Sequence, residues 1–550
     1  MGSVIYDYVI VGGGLTGCAL ASRLRQYRKE LKILIIEAGP DTRSRTDILQ
    51  MQALNLGGPL DWQYQSEPTP GLLNRTVIYN QGKALGGGSC INSGGWTRGS
   101  AVEYDEWADV VGDERWSYKG QLPWMKKTEH WFDNANPDQH GSDGPLHIQS
   151  GASIGRKFPL AVPFALAWDE LGVPVLRLVD QNAGDNLGRA YICEARRHGQ
   201  RQWSASVYPL EGVEILTDTL VKRVVLARDE AGGAIKATGV ELANGTIISS
   251  KNVVCSAGSF RSPQLLMLSG IGPSNHLKDI GIEPKVDLPD VGQGLTDHMS
   301  FFQHWRLRKS GAGYTLWSDN PIFQQPKYAL GLPLDWIVCS DVPKDGLAEA
   351  IKKDEGSDKD VSKHPLVSKP RSFLESFVMH AKLPFPGVPM DTDHLTTDVA
   401  MFLPTSRGTV TLQSADSQDA PKINLNYLGT ETDKYLYRQG LRQITQLMLG
   451  TETGREYIAG ESVPEGLEPL SLDDSDEKLD KRLALAGTTT WHASGTCSMG
   501  KVVDSEFRVR GVEGLRVIDA SVIPVPLSAH LQAPLYALAE QAAAILAGVV

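Results

Sequence analysis

The 550-residue chain has no apolar run approaching the roughly 20 residues needed to span a bilayer, so no membrane partner is expected. It also lacks a basic excess. Its 54 Lys and Arg stand against 65 Asp and Glu, and a net charge of −11 argues against a nucleic-acid partner. Cysteine is sparse: Cys18, Cys90, Cys193, Cys255, Cys339 and Cys497 show neither C-x-x-C nor metal-ligand spacing. That pattern predicts free thiols, a reducing compartment and no bound metal, with Cys18, Cys255 and Cys497 buried among apolar or glycine neighbours. No basic stretch followed by an apolar segment opens the chain, because a strand-like run already begins at Tyr6. The expectation is a cytoplasmic protein, or a secreted one from which a leader has been removed. There is no internal repeat, and the length calls for two or more domains.

What is present is concentrated in the first 37 residues. Tyr6 to Val11 (YDYVIV) is a short run of β-branched and aromatic residues. Gly12-Gly13-Gly14-Leu15-Thr16-Gly17 follows at once and fits G-x-G-x-x-G. An apolar-periodic helix then runs through Ala19, Leu20 and Leu24, and a second strand, Leu31 to Ile36, ends in Glu37. Gly12 permits the tight turn, Gly14 lets backbone approach a pyrophosphate, and Gly17 lets the helix lie close to the sheet. The helix N-terminus offers free N–H groups to phosphate oxygens. Glu37, 20 residues beyond Gly17, can accept hydrogen bonds from a ribose diol. An acid there disfavours a 2′-phosphate and hence NADP, leaving FAD and NAD.

Further along, Gly82-Lys83-Ala84-Leu85-Gly86-Gly87-Gly88-Ser89-Cys90-Ile91-Asn92 is too rich in glycine to be chosen for helix or strand. It suits backbone lying against a flat or charged ligand. Val213 to Leu216, Val221 to Ala227, Ala237 to Leu242 and Val253 to Ala257 read as short strands, with Asn244-Gly245 a hairpin signal. Gly258 to Gly272 reads as a turn, a helix and a loop. Ser372 to His380 alternates, whereas residues 341–370 are charged and read as a solvated insertion.

Residues 82–105 resemble the first signature of the glucose-methanol-choline (GMC) oxidoreductases, a family of FAD enzymes. GSFRSPQLLMLSGIG (258–272) resembles the second. WHASGTCSMG (491–500) with GLRVIDASVIP (514–524) is similar to the family's C-terminal block, and DWQYQSEP (61–68), HGSDGPLHI (140–148) and DVGQGLTDH (290–298) are smaller matches. The resemblance covers nearly the whole chain. It implies an α/β fold with a discontinuous Rossmann-like FAD-binding domain (1–160, 205–300 and 486–550). The substrate-binding domain (161–204 and 301–485) would be built on an antiparallel sheet that roofs the flavin ring. It further implies FAD contacts at Gly12, Gly14, Leu15, Thr16, Gly17, Glu37, Trp62, Gly86, Asn92, Val221, Trp491, Asp519, Ala520 and Gln532. Some members attach FAD through a His immediately before the Asn of the glycine loop; Ile91 stands there, so noncovalent FAD is expected.

The resemblance also singles out His492 and His530. His492 matches the family's near-invariant histidine, and His530 the position that is Asn or His. AHLQAP (529–534) looks most like the aryl-alcohol oxidase branch. Oxidising an alcohol removes a hydroxyl proton and a carbinol hydride. A neutral imidazole suits the first, and flavin N5 accepts the second. The implied reaction is oxidation of a small primary alcohol, aromatic or otherwise planar, to the aldehyde. His492 would be the base and His530 would hold the hydroxyl, with oxygen or another acceptor reoxidising the flavin. A family lyase that keeps FAD without net redox chemistry, of the hydroxynitrile lyase kind, is the alternative. Trp491 and Glu375 are candidate substrate contacts. Trp491 either stacks on a planar substrate or packs, and Glu375 reads first as a plain strand residue and second as a partner that orients His530.

Overall fold

A computed structural model describes residues 4–49, 56–228, 233–356, 360–384, 388 and 390–550. The first sheet is organised on strand Ile5–Val11. Its neighbours are the parallel strands Ile33–Ile36 on one side and Ile247–Cys255 on the other. Glu214–Leu216 extends the sheet beyond Ile33–Ile36, and Ile235–Leu242 with Val221–Arg228 continue it antiparallel past Ile247–Cys255. The ILII run of Ile33–Ile36 is buried at every position, as a strand covered on both faces demands. Helix Leu15–Tyr27 packs on the C-terminal helix Gln532–Ala547. Alanines on nearly every face of that second helix bring it deep into the core.

The second sheet is antiparallel throughout. Its order is Ile458–Ser462, Met299–Leu307, His394–Met401, Leu374–Met379, Trp336–Ser340, Gly188–Tyr191, with Thr488–Thr489 added beside Met299–Leu307. Helix Glu431–Thr445 covers its outer face. At Gly440 a Cβ would stand 2.6 Å from Val399 Cγ1 and 3.3 Å from Leu374 Cδ1, so the missing side chain sets the approach. The alternate residues Phe302, Phe377 and Asp398 look the other way, into a cavity shared with the first sheet. A smaller sheet pairs Leu146–Ser150 with Cys193–Arg197 and so straddles the boundary expected near residue 160.

Several expectations are corrected here. The second strand begins at Ile33, not Leu31, and the strand expected at Val253 begins already at Ile247 and ends at Cys255. The loop expected before Gly272 includes a short parallel pairing of Ile271–Gly272 with Val286–Asp287. The charged stretch 341–370 is not a solvated insertion. Lys344–Glu355 is a helix whose Leu347, Ala350 and Ile351 are buried against helix Glu431–Thr445. Asp354 accepts hydrogen bonds from the backbone N–H groups of Glu431 and Thr432, at 2.8 Å each, and so caps that neighbour. Three apolar residues at helical spacing outweigh the charges around them. Residues 357–359 of that stretch lie outside the described residues. All six cysteines are free and buried. No helix of the described residues is long and apolar enough to cross a membrane.

Candidate active site

A cavity of about 980 Å³ runs from the first glycine turn to the second sheet. At its near end Gly12 has φ +99°, and a Cβ there would lie 2.4 Å from the Ser256 carbonyl oxygen. Gly14 and Gly88 instead face open space, with at most one or two atoms near 4 Å from a built Cβ. This leaves backbone N–H groups and a helix N-terminus exposed to a ligand that has no room for side chains around it. Glu37 forms the wall beside them. Its carboxylate accepts from Gly13 N at 2.9 Å and Gly39 N at 2.8 Å. Burial pushes its pKa up to about 7, against the pull of these backbone donors. Each carboxylate oxygen keeps a lone pair for a further donor.

The far end holds the two histidines, each fixed through its backbone. His492 N donates to Asp297 Oδ1 at 2.8 Å, and His530 N donates to Thr97 Oγ1 at 2.6 Å. Asp297 is buried, which raises its pKa to about 6, and it also accepts from Tyr79, Thr489 and Tyr427. His530 lies two residues before the buried C-terminal helix. The two imidazole rings lie 5.0 Å apart, edge to face.

Their electrostatic surroundings differ in sign. Burial, then the neighbouring His530 and His298, holds His492 well below the usual imidazole range, so it is neutral. Burial also pulls His530 down, but the Glu375 carboxylate outweighs it, with Oε1 2.9 Å from His530 Nε2. The balance lies above the usual value. His530 is therefore the ring that carries a positive charge most readily.

The tautomer of His492 follows from its neighbour. His298 Nδ1 lies 2.9 Å from His492 Nδ1, so one of these atoms carries hydrogen and the other a lone pair. Burial lowers the His298 pKa to about 3, so this ring is neutral and has a single N–H. With that hydrogen on Nε2, His298 Nδ1 is the acceptor, His492 Nδ1 the donor, and His492 Nε2 keeps a free lone pair.

Of the residues expected from sequence, Gly12, Gly14, Leu15, Thr16, Glu37, Trp62, Asn92, Val221, Trp491, His492, Asp519, Ala520, His530 and Gln532 line this one cavity. Gly17 and Gly86 do not. A Cβ at Gly17 would stand 2.1 Å from the Gly12 carbonyl oxygen, so this glycine serves helix-to-strand packing. Gly86 donates to the Gly13 carbonyl at 2.6 Å behind the wall, and Gly87 and Gly88 take the facing positions. Glu375 is also absent from the wall. It is fully buried behind His530, which corrects its placement as a substrate contact and makes it the partner of that imidazole. Trp491 is 41% exposed at the cavity, in the left-handed backbone region at φ +62°, with its N–H held by Thr489 Oγ1. Asn92 and Gln532 bond each other at 3.1 Å, and Arg201 Nη1 holds Asn92 Oδ1 at 2.9 Å. Asp519 caps the next turn through Gly258 N and Ser521 N, both at 2.9 Å.

His298, Asp297 and Asp398 escaped the sequence reasoning as site residues. The first two stand at the end of the quoted DVGQGLTDH match, where a signal existed. Asp398, in HLTTDVAM, had none.

The model of the GMC oxidoreductase N-terminal region matches residues 6–300, and that of the C-terminal region matches residues 404–539. The GMC-type oxidoreductase acuG of Aspergillus aculeatus is 39% identical, over 99% of both chains. An oxygen-dependent choline dehydrogenase of Sinorhizobium fredii is 33% identical, over 98% of this chain and 94% of the relative. The solved structure of a fungal aryl-alcohol oxidase superposes with a TM-score of 0.82 at 25% identity, over 99% of each chain. With both family regions in place and a nucleotide-sized cavity leading from a glycine turn to two histidines, the chain belongs to the GMC oxidoreductases and is an FAD-dependent enzyme of that family.

Proposed function

We propose that the enzyme oxidises a small aromatic primary alcohol to its aldehyde, with His492 Nε2 taking the hydroxyl proton. The observation that carries this reading is the contrast between the two rings. His492 is held neutral, while His530 is drawn toward the charged state by Glu375 2.9 Å away. Two titratable groups pushed in opposite directions within one cavity are the usual signature of an acid–base division of labour. The names of relatives agree with an alcohol: a choline dehydrogenase and an aryl-alcohol oxidase stand among them.

The residues present fit noncovalent FAD. Gly12–Gly14 and the N-terminus of helix Leu15–Tyr27 would take the pyrophosphate, Glu37 the ribose hydroxyls, and Asn92 with Gln532 would hold the loop beside the ring. Ile91 offers no nitrogen for a covalent link. FAD held there would supply the acceptor for the carbinol hydride, with oxygen or another acceptor reoxidising it.

The chain's own residues do the rest. His530 donates to the hydroxyl oxygen and stabilises the negative charge that develops there. His492 Nε2 removes the proton, and the resulting imidazolium keeps its Nδ1–H on His298. Apolar walls that include Phe302, Leu334, Phe377 and Met379 keep water from the reacting carbon. The test is an anaerobic alcohol panel read by flavin bleaching, followed by admission of air. Bleaching by benzylic primary alcohols is expected. A protein that holds FAD and is bleached by no alcohol refutes the proposal.

A further inference from the structure

The register of the second sheet places three cavity-facing side chains in one row. Asp398 lies directly opposite Phe302 on one neighbouring strand and Phe377 on the other. Residues directly opposite in antiparallel strands point to the same face, and all three line the cavity. With strands about 4.8 Å apart, the two phenyl groups stand roughly 10 Å from each other with a carboxyl between them. A third aromatic ring placed between them lies about 5 Å from each, inside the 4.5–7 Å range that aromatic pairs prefer.

Asp398 is only half satisfied. Ser300 Oγ donates to Oδ2 at 2.9 Å, whereas Oδ1 is buried without a hydrogen-bond partner among the described residues. The residue is 2% exposed. The residue itself belongs to the cavity wall. Burial, with the nearby Glu375 adding to it, pushes the carboxyl up to about 8, against the pull of Ser300, His530 and the Phe301 backbone. At neutral pH the group is largely a neutral acid, able both to donate and to accept. A quaternary ammonium offers it neither a donor nor an acceptor, whereas a hydroxyl offers both.

We infer that Asp398, between Phe302 and Phe377, is a recognition subsite for a ring hydroxyl on the substrate, so that the preferred class is a hydroxylated benzyl alcohol. This inference rests on the alcohol-oxidising reading above and narrows it. The carbinol group sits at His492 and His530 while the second hydroxyl satisfies Asp398.

The experiment uses the FAD-loaded enzyme and has two arms. The first measures binding of phenol and toluene, neither of which has a carbinol to oxidise, by perturbation of the bound-flavin absorbance. The second measures flavin reduction with benzyl alcohol, the three hydroxybenzyl alcohols and choline. Phenol is expected to bind at least tenfold more tightly than toluene. At least one hydroxybenzyl alcohol is expected to exceed benzyl alcohol tenfold in kcat/KM. Asp398→Leu should bring both ratios below about twofold, each ratio being read within the variant itself. Asp398→Asn, whose amide still donates and accepts, should retain part of each ratio and keeps the test alive if the leucine variant does not fold. Equal binding of phenol and toluene by the parent overturns the inference, as does discrimination that survives Asp398→Leu, or choline outrunning every benzyl alcohol. Tight phenol binding without bleaching by any alcohol supports the subsite and refutes only the broader reaction.

Discussion

Replacing Glu375 by Gln removes the charge that faces His530 and leaves the shape intact. In the parent, burial works against a charged His530 and Glu375 works for it across 2.9 Å. A hydrogen bond to a charged group is worth about 1.5–3 kcal/mol, and one pKa unit corresponds to about 1.4 kcal/mol. The His530 pKa should therefore fall, with only the weaker pull of Asp398 left to oppose burial. If the charge on His530 stabilises the developing alkoxide, the same energy corresponds to about a ten- to hundredfold loss in the rate of flavin reduction. Stability carries a second signature. Because the folded-state pKa of His530 is raised, its pair with Glu375 contributes fully below the unfolded value of about 6.5 and fades as pH rises through the folded value. The melting advantage of the parent over Glu375→Gln should thus be largest on the acid side of neutrality and shrink above it. Stopped-flow flavin reduction with one good alcohol, and thermal melting, both across a pH series, provide the readings. A variant that reduces its flavin within threefold of the parent, with a superimposable pH profile, refutes the reasoning.

His492→Ala should slow anaerobic flavin reduction by about 10²–10⁴-fold with FAD content nearly unchanged; a rate within threefold of the parent removes His492 as the base. His298→Leu takes away the acceptor that fixes the His492 tautomer, and flavin reduction should fall by about 10–100-fold, the usual cost of losing a group that orients a reactive imidazole; an unchanged rate and pH profile count against the tautomer assignment. Glu37→Gln weakens the turn through Gly13 and Gly39 as well as the ribose contact. It should loosen FAD by roughly 1.5–3 kcal/mol, read as flavin released on dialysis, and full retention argues against the assignment.

What was legible in the sequence follows the reach of local chemistry. The Gly12–Gly17 turn, its strand and Glu37 are specified by residues within one supersecondary unit, and the structure brings them to one wall of the cavity. His492 and His530 lie in motifs that a resemblance picks out. Their unlike surroundings do not, because those come from Glu375 and His298, 155 and 194 residues away in the chain. The helix Lys344–Glu355 was missed because its apolar face is only Leu347, Ala350 and Ile351 among seven charged residues. Strand His394–Met401 is buried at every position although its sequence, HLTTDVAM, offers Thr-Thr-Asp in the middle. Only a sheet with both faces covered makes that run a core strand, and so hides Asp398 from any pattern of alternation.

In the proposed reaction, the partners of the two histidines explain why their roles are not interchangeable. A base must present a lone pair to the substrate, so its other nitrogen has to carry the hydrogen. A neutral His298 that accepts at Nδ1 provides this for His492 without bringing in a charge. A carboxylate in that place would hold the same tautomer but would also draw His492 toward the protonated state, in which it can accept nothing. At His530 the opposite is needed. A donor that faces a developing alkoxide gains from a positive charge, and Glu375 supports one at a point fully shielded from water. Exchanging the two partners would leave His492 protonated and His530 neutral, with the same rings in the same places and neither suited to its task. The site is thus defined less by its pair of histidines than by one neutral and one anionic group behind them, the first just before strand Met299–Leu307 and the second on Leu374–Met379, two strands along in the second sheet.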